Sequence, residues 1–334
     1  MRDKLIYMIK SIEQMLITCS KRKTNHDKDI LVLATRRGGS TMLMEIIYSQ
    51  PGISFVAQPT DLWRYHPLKT SLPETPFVRF ISLNEAEEKM MYDFFQSVVF
   101  AGKLRGHMPW RFWEREFSFF YNRLVVKVLN AKALIEWFSR NFDVHIVYLV
   151  RHPLAVASSI RHKGWGSYPT AFIEDKWFRE TYLDGRLMDR CNEIINNGTE
   201  LERIVLEWCL ENLHPLRMVG SERWLMITYE ELVLKPREMT DLLCTRLSLP
   251  NKERAYMRIA KPSMNATRGS REAMREYGSS RLITRWKQNI DSQTEAGLMT
   301  ILSDFDIDIY QGESFLPASW ACHFGDLDVE IPNM

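Results

Sequence analysis

The run Ala34-Thr35-Arg36-Arg37-Gly38-Gly39-Ser40-Thr41 lies between a β-rich stretch, DKDILVLAT, and a helix-like one, TMLMEIIYSQ. Two glycines let a backbone fold tightly enough for successive N–H groups to point inward, and a helix N-terminus adds its partial positive charge. Arg36 and Arg37 bring charge-assisted donors, and Ser40 and Thr41 bring hydroxyls in the first turn. Such a loop suits an anion, a phosphate above all. The plainer reading is a helix capped by Ser40 beside two solvated arginines. A nucleoside-triphosphatase loop would need a lysine before Ser40 or Thr41, and none is there. A magnesium site would also want an acid at a neighbouring strand end, where the strand HIVYLV runs into Arg151 instead. The expectation is therefore an anion held without a metal.

A second constellation is VYLVRHPLAVASS, residues 147–159. Arg151 leaves a strand at its carboxyl end, Pro153 suits the first turn of a helix, and Ser159 follows two turns later. Arginine and serine at that spacing converge on one phosphate if the turn folds back. Two anion sites at adjacent strand ends suit a nucleotide phosphorylated at both its 5′ and 3′ positions.

These residues need a scaffold, and the sequence predicts one. DKDILVLAT, ISFVAQP, RLVVKVLN, HIVYLV and RWLMITY are apolar runs of strand length. Between them AKALIEWFSRNF, PLAVASSIRHK and LERIVLEWCLENLHPLRMV carry helical spacing. Alternation of this kind predicts right-handed βαβ units, a parallel sheet covered on both faces, and ligands at the carboxyl ends of its strands. A helical stretch, EELVLKPREMTDLLCTRLSL, and a final helix beginning near Arg285-Trp286-Lys287 follow. Residues 60–122 break the alternation and are dense in aromatics, Phe80, Phe94, Phe95 and Phe100 among them. They read as an acceptor-side helical insertion, either a substrate lid or the aromatic core of a helical subdomain.

Composition is that of an ordinary globular chain: 334 residues, 45% apolar and 26% charged, with a net charge of +2. Nothing in that balance draws the chain to nucleic acid, so the anion site must be local. Five scattered cysteines without metal spacing read as reduced thiols in a cytoplasmic setting. Residues 1–28 form an N-terminal extension whose largely apolar run, Leu5 to Cys19, is interrupted by Lys10 and Glu13. It is too short to span a bilayer, which leaves a terminal helix packed on the body or lying on a membrane. Residues 29–334 are read as one domain.

Arg37-Gly38-Gly39-Ser40-Thr41 and Arg151-His152-Pro153-Leu154-Ala155-Val156-Ala157-Ser158-Ser159 together resemble the loops of the sulfotransferase superfamily, which uses 3′-phosphoadenosine 5′-phosphosulfate (PAPS). The likeness is to carbohydrate and bacterial types more than to the cytosolic phenol type. It extends to Trp208, to Tyr229-Glu230-Glu231-Leu232 and to Arg285-Trp286-Lys287. The resemblance implies a three-layer α/β sandwich around about five parallel strands, with PAPS as sulfuryl donor and its desulfated form, PAP, as product. It implies that Arg37, Gly38, Gly39, Ser40 and Thr41 bind the 5′ end, that Arg151 and Ser159 bind the 3′-phosphate, that Arg36 and Arg285 also belong to the nucleotide-binding set, and that Lys127 assists the leaving phosphate. The acceptor is expected to be a small molecule or glycan. Two departures stand out: Gln58 occupies the place of a family glutamate, and an amide is no general base, while His152 replaces the usual aspartate. Asp61, His66 and His107 are the candidates for the missing base. A nucleotide-binding module without turnover, and more distantly a nucleotide kinase, are the rival readings.

Overall fold

The computed structural model describes residues 19–23, 27–62, 66–75, 79–104, 120–218, 223–263, 266, 271–272, 281–311, 314 and 316–318. Five strands, β1 (Ile30–Ala34), β2 (Ile53–Ala57), β3 (Arg123–Val128), β4 (His145–Val150) and β5 (Trp224–Thr228), form one wholly parallel sheet in the order β2-β3-β1-β4-β5. Each lies within the run that the apolar patterning predicts. Continuous apolar runs pack on both faces because successive side chains point to opposite sides. Ile30, Val32, Val125 and Val147 join one core cluster, while Leu31, Leu33, Val126 and Tyr148 join the other.

Helix α1 (Ser40–Tyr48) covers the first face, with Leu43, Ile46 and Ile47 in its core. Helices α2 (Glu85–Phe94), α3 (Ile135–Asn141), α4 (Pro153–His162) and α5 (Glu200–Arg217) belong to the opposite layer, where Phe94, Phe138, Val156 and Trp208 share one cluster. The three-layer α/β sandwich is thus present. Its centre is β1, paired with β3 on one side and β4 on the other, so the ends of these three strands lie together.

Two helical expectations change. The stretch after Tyr229 is two helices, α6 (Tyr229–Leu234) and α7 (Pro236–Arg246), because Pro236 drives Lys235 out of helical geometry. Arg285–Gln288 is a 3-10 turn, and the last described helix, α8 (Ser292–Asp304), begins only where Asp291 accepts from Thr294 N–H at 2.9 Å. In the aromatic insertion, Phe95 meets Phe94, Phe100, Phe138 and Phe142 with ring centroids 4.9 to 5.9 Å apart. These five rings are core. Trp110-Arg111-Phe112-Trp113 and residues 1–18 lie outside the described residues.

Candidate functional site

The loop after β1 is wound by local backbone geometry. Gly38 N–H returns to Thr35 O at 2.9 Å, and Arg37 and Gly39 take positive φ of 62° and 92°. Gly39 is required twice over, since a Cβ there would lie 2.3 Å from Cδ2 of Tyr229. Gly39 is also the N-cap of α1, and no side chain caps it; Ser40 is the first helical residue rather than the cap. That leaves the start of α1 facing a cavity of about 540 Å³, with Ser40 and Thr41 in its wall.

The two basic motifs meet in that one cavity. Arg37 Nε donates to Ser159 Oγ at 2.9 Å, and Arg151 Nη1 donates to Arg37 O at 2.9 Å. The Arg151 guanidinium lies 4.3 Å over the Tyr229 ring, and Trp208 Nε1 fixes its backbone by donating to Arg151 O at 3.1 Å. Burial, and then repulsion from Arg151, weakens Arg37's hold on its proton. Three buried donors of the wall, Arg36 Nε, Arg151 Nε and Trp286 Nε1, have no hydrogen-bond partner among the described residues. Concentrated positive charge with unspent donors is what a polyanion would stabilise.

His152, in place of the expected aspartate, holds the turn as a neutral cap. Its Nδ1 accepts from Leu154 N–H at 3.2 Å, and its own N–H donates to Glu230 Oε1 at 3.1 Å. The ring stacks on Trp286 at 4.8 Å and 15°. Burial pushes its pKa down to about 3, so the cap carries no charge. Glu230 is steadied by the Tyr310 hydroxyl at 2.6 Å, and burial raises its carboxyl.

Lys127 projects from the end of β3 into the same cavity, with Nζ 3.4 Å from Thr41 Oγ1. Burial lowers its pKa to about 8, against the opposing pull of Glu45. Beside it, Gln58 adopts φ 53°, donates its N–H to Lys127 O at 2.7 Å, and reaches Asp61 Oδ2 through Nε2 at 3.2 Å. Asp61 is the only carboxylate among the described residues of the wall. His66 is turned away and accepts from Leu68 N–H at 3.1 Å as a helix cap, and His107 lies outside the described residues. Arg285 lines the cavity. Arg36 also reaches the wall, yet its guanidinium pairs with Glu207 at 3.3 Å and donates to Gly166 O at 3.1 Å.

Three wall residues, Tyr229, Trp165 and Trp286, were not singled out as ligand-facing by sequence patterning. Tyr229 directly follows β5, and the strand-end rule alone would have marked it. Trp165 carries no such signal. Among the described residues no group of three or more His, Cys, Asp or Glu side chains is placed to hold a metal, and no helix is long and apolar enough to cross a membrane.

A parallel sheet with a glycine-wound loop at its central strand and two further basic side chains at the flanking strand ends defines an α/β protein with a basic cavity at its strand ends. The sulfotransferase domain family matches residues 27–296, and the chain belongs to that family. No curated protein sequence matches it significantly. Among solved structures it is similar to the sulfotransferase domain of a Synechococcus olefin synthase, at 16% identity over 85% of this chain and 96% of that one, with a TM-score of 0.46. It is also similar to the sulfotransferase domain from the curacin biosynthetic pathway, at 16% identity over 85% and 99% with a TM-score of 0.42. A mouse sulfotransferase complexed with PAP follows at 12% identity, over 87% and 88%, with a TM-score of 0.38.

Proposed function

We propose that the protein moves a sulfuryl group from PAPS to a hydroxyl or amine of a small-molecule or glycan acceptor. The observation that carries this reading is the convergence of Arg37, Ser159 and Arg151 in one cavity with the buried Lys127. Arg37, the amides of Gly38 and Gly39, Ser40 and Thr41 would hold the 5′-phosphosulfate. Arg151, Ser159 and Arg285 would hold the 3′-phosphate. Attack by the acceptor's oxygen or nitrogen forms the new bond to sulfur as the bond from sulfur to the 5′-phosphate oxygen breaks. The departing electron pair stays on that phosphate, where the Lys127 ammonium stabilises it. The acceptor's proton passes to Asp61, whose carboxylate Gln58 orients. We place the reaction in a reducing, cytoplasm-like compartment, which suits the free thiols of Cys191, Cys209 and Cys244.

Radiolabelled PAPS incubated with a panel of phenols, alcohols, amines and glycans should give labelled product. Binding of PAP without any transfer would instead favour the inert nucleotide-binding module that Gln58 first raises. Magnesium-dependent ATP binding with no affinity for PAP would favour the kinase. Arg151→Ala should raise the dissociation constant for PAP at least about tenfold, because a lost charge-assisted hydrogen bond costs about 1.5–3 kcal/mol. Unchanged affinity would remove Arg151 from the site.

A further inference from the structure

We infer that Arg36 is a positioning residue rather than a ligand of the nucleotide, and that Glu207 is the fixed point through which it orders the phosphate loop and the cavity-mouth segment 164–168. The inference deepens the donor reading and rests on it.

The observation is a buried row of alternating charge behind the loop. Glu207 and Glu211 sit one turn apart on the same face of α5, and both are buried. Arg79 bridges them, with Nη1 2.8 Å from Glu211 Oε1 and Nη2 on Glu207 Oε1. Lys132 closes one end, 3.1 Å from Glu211 Oε2 and 2.8 Å from Asn212 Oδ1, and its ammonium also reaches the Thr35 hydroxyl. Arg36 closes the other end on Glu207. The row runs Arg36, Glu207, Arg79, Glu211, Lys132, and its two ends grip successive residues, Thr35 and Arg36, at the root of the loop.

Arg36 does a second thing from the same position. Its Nη2 donates to Gly166 O at 3.1 Å, and Glu207 Oε2 accepts from Tyr168 N–H at 3.2 Å. Trp165 directly precedes the first of these anchor points and forms part of the cavity wall. The adjacent arginines therefore divide the work. Arg36 is paired with a buried carboxylate that it shares with Arg79, and its guanidinium spends Nη2 on Glu207 and Gly166 O, leaving Nε without a hydrogen-bond partner. Arg37 has Arg151 as its charged neighbour and a serine hydroxyl as its hydrogen-bond acceptor, so it is the one left to meet an anion. Glu207, Arg79 and Lys132 touch no reacting atom; they act through Thr35, Arg36 and the Trp165 segment.

The test is a double-mutant cycle on PAP affinity with Arg36→Met and Glu207→Gln, read beside the indole resonance of Trp165 in ligand-free protein, assigned by its loss in Trp165→Phe. Each single variant should weaken PAP about tenfold, and the double variant should be no more than about twofold worse than the weaker single, since both break one unit. The Trp165 resonance should shift in Arg36→Met before any nucleotide is added. A contribution of Arg36 that adds in full to that of Glu207, with the ligand-free resonance unmoved, would show a direct phosphate contact and overturn the inference. If Glu207→Gln does not fold, the Trp165 resonance in Arg36→Met decides alone, because Arg36 is partly exposed and its loss leaves the buried Arg79 bridge in place. Failure of the wild-type protein to bind PAP would sink the donor reading instead, and the resonance would still report whether Arg36 orders the segment.

Discussion

Binding of PAP should weaken as pH rises through about 8, and the cause is Lys127. Burial lowers its pKa from 10.5 to about 8 in the free protein, so at neutral pH the ammonium is present but poorly solvated. A bound 5′-phosphate supplies the counter-charge and returns the pKa upward. Above pH 8 the free protein must therefore take up a proton to bind. With a free pKa of about 8 and the lysine kept protonated by the bound phosphate across this range, the dissociation constant at pH 9.5 should be about 30-fold higher than at pH 7, on the order of 2 kcal/mol. The nucleotide itself adds little to this slope, since a phosphate's second ionisation is complete above about pH 7. The sign for folding is opposite. A lysine whose folded pKa lies below its unfolded value opposes folding while it is charged, and that penalty fades as pH rises from about 8 towards 10.5. Calorimetric titration from pH 7 to 9.5, in two buffers of different ionisation enthalpy, measures both the affinity and the protons taken up. Lys127→Met should flatten the profile and abolish the uptake; the same substitution controls for Lys132, which burial also lowers to about 8 but which is tied to Glu211 away from the cavity wall. An affinity independent of pH in the wild-type protein, or an unchanged slope in Lys127→Met, would refute the argument.

Two further outcomes follow from the geometry. Gly39→Ala should destabilise the fold by more than about 2 kcal/mol in chemical denaturation and remove PAP binding, because the new methyl meets the Tyr229 ring at 2.3 Å on a backbone at φ 92°. Asp61→Asn should lower turnover by about 10²–10⁴ while leaving PAP affinity unchanged, as expected for loss of a general base; unaltered turnover would exclude Asp61 from that role.

The strands were legible because a buried parallel sheet writes itself as unbroken apolar runs, and RLVVKV and HIVYLV coincide with β3 and β4. Helix ends were legible where a proline opens the helix, as at Pro153, and misread where composition alone was the guide. Arg285-Trp286-Lys287 has the polarity of a helical turn, yet the chain reaches its helix only after Asp291 supplies a cap. Ser40 has the right type for a cap, but Gly39 takes that place because the loop needs a left-handed residue there. The hardest distinction was between Arg36 and Arg37. Adjacent and chemically identical, they part company through Glu207, which lies 171 residues from Arg36 and leaves no local trace of the pairing. The same holds for Tyr229, whose ring packs where Gly39 lacks a side chain, a contact between distant segments.

The position of β1 at the centre of the sheet also bears on how the chain comes into being. Its two partners, β3 and β4, begin at residues 123 and 145, long after β1 ends at residue 34. During synthesis at ~5–20 residues per second, the run ILVLA waits on the order of 5 to 20 s before its first neighbour exists. Over that interval an apolar segment of high strand propensity has unsatisfied edges on both sides. A nascent chain halted before β4 would expose it, and chaperone dependence would be greatest over that window. The glycine loop after β1 is thus made well before the strands that flank it in the finished sheet.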